Sequence, residues 1–152
     1  MDRASGFEPE GRRFDSFRTH QFLRGRLAIS IEEYEDALNS LEEAINLHSQ
    51  SNLRESEKNA FRDACIQRFE FSIELAWKIS RKIMGTSSQA PNTVIREMAQ
   101  NNLIDDPKVW FEFIDARNKT SHTYDEDIAR QVYAVILKFI PEAKKLLVHL
   151  KK

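Results

Sequence analysis

The sequence is poor in the residues that form disulfides, tight turns and membrane spans. Cys65 is the only cysteine among 152 residues, which excludes an intrachain disulfide, and no cluster of Cys and His has the spacing of a metal site. The chain has only four glycines and four prolines. It contains no apolar run of about 18 residues, and its first residues lack the apolar core of a signal peptide. We therefore expect a soluble cytoplasmic protein with no metal and no other cofactor.

The formal net charge of −1 favours no particular partner for the molecule as a whole. The charge is uneven, because residues 1–26 contain six arginines against four acidic residues. Residues 1–20 have weak periodicity, because Gly6, Pro9 and Gly11 interrupt any long element. We expect a poorly ordered N-terminal arm at residues 1–25, followed by a helical domain at residues 26–152. The arginines of the arm leave open a contact with nucleic acid or a partner.

Apolar residues recur at intervals of three and four, and strand-like alternation is absent, so the sequence predicts one all-helical domain. Start signals predict about five helices, which begin near Ser30, Ser56, Pro91, Pro107 and Asp125. Gly85 should end the second helix, and Asn101 with Asn102 should end the third. Pro141 should kink the last helix, because it removes one backbone hydrogen bond and clashes with the preceding turn.

The second helix is apolar on more than one side, which is typical of a helix at the centre of a bundle. Phe71 and Ile83 are expected to belong to its apolar surface, and Cys65 is expected to be buried. Trp77 and Trp110 lie at helical spacing, so burial is favoured over stacking on a base. The histidines outside the polar segment described next have no ligand spacing and are expected to be exposed: His20, His48 and His149.

Residues 115–124 depart from the helical pattern. This segment has no apolar residue after Ala116 and combines arginine, asparagine, two kinds of hydroxyl residue, histidine and tyrosine. Arg117 and His122 are five residues apart, so a continuous helix would separate their side chains by about 140°. For both to serve one site, the helix must end between them or a second subunit must contribute.

The residue types of this segment suit chemistry at a phosphate. His122 could exchange a proton with the 2′-hydroxyl or the leaving oxygen of RNA near neutral pH. Arg117 has a planar, permanently charged fork that would stabilise charge on the phosphorus oxygens without a metal. Asn118 would hold the arginine or a phosphate, and Thr120 and Ser121 would donate hydrogen bonds or cap the next helix. From composition alone, the alternative of ordinary surface residues stays open.

Three charged residues lie among the aromatics of the second helix: Arg68, Glu70 and Glu74. We interpret them as a solvated or internally satisfied polar face. The alternative is that one of them reaches toward the polar segment and orients it.

The string from Arg117 to His122, Arg-Asn-Lys-Thr-Ser-His, resembles the signature of HEPN domains. Tyr124 matches the form of that signature with a tyrosine two residues after the histidine. Residues 66–78 resemble the helix of one HEPN branch, the nucleotidyltransferase substrate-binding proteins, which include HepT-like toxins paired with a minimal nucleotidyltransferase antitoxin. The resemblance covers about residues 34–147.

This resemblance implies an up-and-down antiparallel helical bundle that forms a homodimer, with the two Arg/His motifs facing each other across a cleft. It also implies a partner, a minimal nucleotidyltransferase encoded nearby. This chain has no Gly-Ser followed by paired aspartates, so it lacks a nucleotidyltransferase catalytic motif of its own.

Two functions are compatible with the resemblance. In the first, Arg117, His122 and Asn118 form a metal-independent ribonuclease site of a toxin–antitoxin-like system. Thr120 and Ser121 support that site, and the partner silences it by adding AMP to Tyr124. In the second, the bundle is a non-catalytic subunit that binds a nucleotide or a substrate for the separate nucleotidyltransferase.

Overall fold

The computed structural model describes residues 30–152 as five helices and one short 3₁₀ turn. The helices are α1 (Ile31–His48), α2 (Glu55–Met84), α3 (Pro91–Gln100), α4 (Pro107–Lys119) and α5 (Glu126–Leu150). The 3₁₀ turn, Thr120–His122, joins α4 to α5, and the described range contains no strand. The predicted all-α class is confirmed. The predicted arm at residues 1–25, together with residues 26–29, lies outside the described residues.

Local signals determine where the helices begin and end. At the start of α1 the Ser30 hydroxyl accepts a hydrogen bond from the Glu33 backbone N–H, and the Glu33 carboxylate accepts one from the Ser30 N–H. Asp106 and Asp125 cap α4 and α5 by accepting hydrogen bonds from first-turn N–H groups. Gly85 ends α2 in the left-handed conformation, with φ 67°. The predicted helix starts and stops are confirmed within one residue.

Contacts between distant residues define the up-and-down order of the bundle. Tyr34, in the first turn of α1, donates its hydroxyl hydrogen to the carbonyl of Ala143, near the end of α5, at 3.0 Å. Arg62, near the start of α2, is hydrogen-bonded to Glu126 at the start of α5. Helix α1 is therefore antiparallel to both α2 and α5. Helix α5 continues through Pro141 as one element, and the kink at that proline stays a prediction.

The centre of the core is an aromatic cluster from α2, α4 and α5: Phe69, Trp110, Phe113 and Phe139. All four side chains are fully buried. Phe139 meets Phe69, Trp110 and Phe113 edge-to-face, with ring centroids 5.2, 6.0 and 5.3 Å away. Phe113 lies about one helical turn before Arg117, so this cluster holds the end of α4 that carries the polar segment.

Two expectations about α2 are wrong, because Phe71 and Ile83 are 59% and 50% exposed. Phe71 points about 200° around the helix from the buried Phe69, and Ile83 lies in the last turn. The expected burial of both tryptophans and of Cys65 is confirmed. Burial raises the pKa of the Cys65 thiol to about 11, so the thiol stays protonated and unreactive at neutral pH.

The expectation that His48 and His149 are exposed is also wrong, because both are half-buried. The ring of His48 packs on Tyr133, with centroids 4.4 Å apart. Burial and the charges of two nearby basic residues lower the pKa of His48. His149 has Nδ1 2.9 Å from the carbonyl oxygen of Leu103. His20 lies outside the described residues. None of the helices in residues 30–152 combines the length and apolar character needed to span a bilayer.

Candidate functional site

The helix that carries Arg117 ends before His122. Helix α4 stops at Lys119, and the next three residues, Thr120–His122, turn as a 3₁₀ helix. The two side chains are therefore not related by the geometry of one continuous α-helix. Of the two arrangements that would let both serve one site, the interrupted helix is present within a single chain.

Hydroxyl groups close the end of α4. The Thr120 hydroxyl donates to the carbonyl of Arg117 at 2.7 Å, and the Ser121 hydroxyl makes a longer contact of 3.4 Å with the carbonyl of Asn118. Helix α5 is capped instead by Asp125. Thr120 and Ser121 thus add side-chain hydrogen bonds to carbonyls at the end of α4, and the Arg117 carbonyl also accepts the Thr120 backbone N–H.

Arg117 extends toward α2 and pairs with Glu74. Its Nε lies 3.6 Å from Glu74 Oε1, and its Nη1 lies 3.4 Å from Thr120 Oγ1. The Nε atom is buried and makes no hydrogen bond, so the contact with Glu74 is an ion pair beyond hydrogen-bond length. The side chains of Arg117 and Glu74 are 33% and 32% exposed.

His122 is exposed and contacts the tyrosine that follows it. Its Nδ1 lies 3.3 Å from the Tyr124 hydroxyl oxygen, and the two rings meet edge-to-face with centroids 5.9 Å apart. Tyr124 is 86% exposed. Because Nδ1 faces Tyr124, the other ring nitrogen, Nε2, is the one available for proton exchange with a bound molecule.

A groove of about 310 Å³ lies beside Tyr124. Its walls come from one face of α2 and from the segment after the 3₁₀ turn: Asp63, Ile66, Gln67, Glu70, Thr123 and Tyr124. Glu70 and Glu74 are four residues apart on α2 and therefore neighbours on one face. Glu74, which pairs with Arg117, therefore lies one turn along α2 from the groove residue Glu70. The sequence analysis did not identify Asp63 or Gln67 as groove residues. Their helical spacing to Glu70 places all three on one face of α2, and this was a signal that could have identified them.

A two-point salt bridge fixes the start of α5. Arg62 Nη1 and Nη2 lie 2.6 and 3.0 Å from the Glu126 carboxylate oxygens. The Arg62 side chain is 11% exposed, and that of Glu126 is 50% exposed. The hydrogen bonds from Arg62 lower the pKa of the Glu126 carboxyl. Because Glu126 follows Tyr124 by two residues, this pair anchors the segment that carries the tyrosine.

The predicted site residues form two adjoining groups. Arg117 and Thr120 are in contact, and His122 is in contact with Tyr124. Asn118 is exposed, and its backbone carbonyl contacts the Ser121 hydroxyl. A role for its side-chain amide stays a prediction. Among residues 30–152, no group of three or more His, Cys, Asp or Glu side chains is arranged to hold a metal ion.

The sequence of this domain is similar to known proteins over nearly its whole length. Residues 29–152 match the family described as "Nucleotidyltransferase substrate binding protein like". The chain is 33% identical over 130 residues to a protein of Haemophilus influenzae named "Probable ribonuclease HepT". That similarity covers 76% of this chain and 88% of the relative.

Two solved structures share the fold. One, from Haemophilus influenzae, is described as the fold of a substrate binding domain of a nucleotidyltransferase. It has a TM-score of 0.75 and 29% identity to this chain, and the match covers 81% of this chain and 100% of that chain. The other, from Thermus thermophilus, has a TM-score of 0.65 and 30% identity, with 78% and 99% covered. The fold, the matched range and these relatives agree, and this chain belongs to the nucleotidyltransferase substrate-binding protein family.

Proposed function

We propose that this chain is the HEPN-type subunit of a two-component, toxin–antitoxin-like system, with a metal-independent ribonuclease site at Arg117 and His122. The observation that carries the proposal is the end of α4 between these two residues. It places Arg117 in the last turn of α4 and the exposed His122 in the 3₁₀ turn that follows, so the two side chains are not fixed on opposite faces of one α-helix. The name of the Haemophilus influenzae relative, a probable ribonuclease, supports the same class of reaction.

In the proposed reaction the 2′-hydroxyl of RNA is the nucleophile. His122 Nε2 takes its proton, the 2′-oxygen bonds to phosphorus, and the bond from phosphorus to the 5′-oxygen breaks. The 5′-oxygen leaves with the electron pair of the broken bond and takes a proton from water, so the products are a 2′,3′-cyclic phosphate and a 5′-hydroxyl, and the proton held by His122 returns to solvent. Arg117 stabilises the extra charge on the non-bridging oxygens. Asn118 and Thr120 assist by holding the arginine or the phosphate.

We propose that Tyr124 is the regulatory residue of this site. Its side chain is exposed, so a separately encoded nucleotidyltransferase can reach the hydroxyl. Transfer of AMP from ATP to that oxygen forms a phosphodiester in place of the hydroxyl proton, breaks the bond between the α- and β-phosphates, and releases pyrophosphate. The oxygen that faces His122 Nδ1 at 3.3 Å then no longer donates a hydrogen bond. The added phosphate also carries a negative charge that repels RNA beside the imidazole.

The proposed assembly is a cytoplasmic homodimer in which two motifs face one cleft that holds RNA or a nucleotide. Phe71 supports this arrangement, because it is an exposed aromatic on α2 that follows Glu70 of the groove. Contact with a second copy would remove the exposed ring of Phe71 from water. The second copy would then bring its own arginine and histidine to the same cleft.

A second candidate function is a non-catalytic subunit that binds a substrate for the nucleotidyltransferase. The groove favours it, because Asp63 and Glu70 would repel an RNA backbone but could accept hydrogen bonds from the hydroxyls of a nucleoside or another small substrate. The description of the Haemophilus influenzae structure as a substrate binding domain is consistent with this candidate.

Expression of this chain alone in a bacterial host separates the two candidates. We expect the native chain to arrest growth and the variants His122→Ala and Arg117→Ala, at matched protein levels, to restore it. Arg54→Ala removes an arginine that is 81% exposed and pairs with Glu57 at the start of α2, and it should arrest growth like the native chain. Equal growth of all strains, with native protein that is folded and unmodified by mass, would favour the binding subunit.

A further inference from the structure

Glu74 lies between two cations of the candidate site. One carboxylate oxygen, Oε1, is 3.6 Å from Arg117 Nε, and the other, Oε2, is 3.1 Å from Lys78 Nζ. The backbone that carries Glu74 is firmly held, because Ile73 and Leu75 on either side are buried in the core. The Glu74 carboxylate on α2 therefore contacts Arg117, which lies in the last turn of α4.

We propose that Glu74 is a positioning residue, which holds the Arg117 guanidinium at Nε so that the end of the fork that carries the two Nη groups faces the substrate phosphate. This inference rests on the proposed ribonuclease function and deepens it. Arginine binds phosphate best through two parallel N–H groups, so the orientation of the planar fork determines whether it can stabilise the reacting phosphate. Of the charged residues on α2 near the motif, Glu74 is the one paired with Arg117.

The value of this pair lies in orientation rather than in stability. Both side chains are about one-third exposed, and solvent weakens such ion pairs. A free arginine side chain samples many rotamers, and the loss of that freedom on substrate binding opposes the reaction. An arginine held in place before RNA binds avoids part of that loss, and a displacement of about 1 Å at a reacting group can slow a reaction by about 100-fold.

The same carboxylate also limits the affinity for RNA. It neutralises part of the charge of Arg117 and Lys78, and it repels an approaching phosphate. Removal of its charge should therefore act in opposite directions on two steps: RNA binds more tightly, while the chemical step slows. A residue that only supports the fold would lower the active fraction and leave KM unchanged, so the two roles have different kinetic signatures.

Steady-state cleavage of a short RNA by Glu74→Gln, Glu74→Asp and the native chain tests the proposal. For Glu74→Gln we expect kcat to fall about tenfold or more and KM to fall about threefold. Glu74→Asp keeps the charge but shortens the side chain, so kcat should fall while KM stays close to the native value. Glu43→Gln changes the net charge equally at an exposed position on α1 and should match the native chain in both constants.

A kcat for Glu74→Gln within twofold of the native value would overturn the proposal, as would a lower kcat with unchanged KM. The NMR signal of the Arg117 Nε–H group gives a readout that does not need cleavage. We expect a resolved signal in the native chain that moves toward the position of free arginine in Glu74→Gln. Identical Arg117 signals in the two proteins would reject the positioning role. If the native chain does not cleave RNA but the Arg117 signal still differs between the native chain and Glu74→Gln, only the ribonuclease function is rejected.

Discussion

Replacement of His122 by alanine is expected to slow RNA cleavage by about 10²- to 10⁴-fold, the contribution typical of a positioned acid–base group. The imidazole is exposed and contacts Tyr124 rather than the core, so this variant should fold like the native chain. Single-turnover cleavage rates of purified proteins with matched unfolding temperatures measure the effect.

Arg117→Ala should cost about 10²- to 10³-fold in the same assay, because one preorganised donor to a developing charge is lost. Arg54→Ala is the matched control for the loss of an arginine, since its side chain is 81% exposed at the start of α2. A His122→Ala rate close to the native rate would contradict the assignment of this residue as the proton-transfer group. An equal loss of rate in Arg54→Ala would indicate an effect of overall charge instead.

Truncation of Phe139 to alanine is expected to lower the free energy of unfolding by about 3–5 kcal/mol, the range for a fully buried phenylalanine. Its ring is in contact with aromatic side chains from α2 and α4. The variant removes those contacts and leaves a cavity at the centre of the bundle. Because Phe113 of this cluster lies one turn before Arg117, loss of the native site should accompany the loss of stability.

Leu137→Ala is the control for Phe139→Ala, because Leu137 lies two residues earlier on α5 and is 48% exposed. Its loss should change the free energy of unfolding by about 0.5 kcal/mol or less. Chemical denaturation followed by circular dichroism measures both variants. Equal destabilisation by the two would contradict the view that the aromatic cluster is the centre of the core.

The boundaries of the helices were predictable because their causes are local. Ser30 with Glu33, Asp106 with Pro107, and Gly85 each act on the backbone within a few residues of themselves, and all determine a helix end in the structure. The side of α2 that faces the core was harder to predict. That helix has apolar residues on several faces, and only the packing of its neighbours leaves Phe71 exposed while Phe69 is buried.

The candidate site was predictable only in part, for a similar reason. The sequence left two arrangements open for Arg117 and His122, a helix end between them or a second subunit, and the end of α4 at Lys119 shows that the first is present. The pairing of Arg117 with Glu74 depends on how α4 lies against α2, which periodicity does not determine. The sequence offered Arg68, Glu70 and Glu74 equally as orienting residues. The Arg62–Glu126 bridge joins residues 64 positions apart, so nothing in the local sequence of either residue identified it.

Cleavage of RNA by the purified native chain in the presence of EDTA tests most directly whether this protein is a metal-independent ribonuclease. The substrate should be a short RNA, compared with the same sequence made as DNA, which lacks the 2′-hydroxyl. We predict cleavage of the RNA alone, with 2′,3′-cyclic phosphate and 5′-hydroxyl ends, by protein whose mass shows an unmodified Tyr124. Absence of cleavage, a requirement for added divalent ions, or equal cleavage of the DNA would contradict that function.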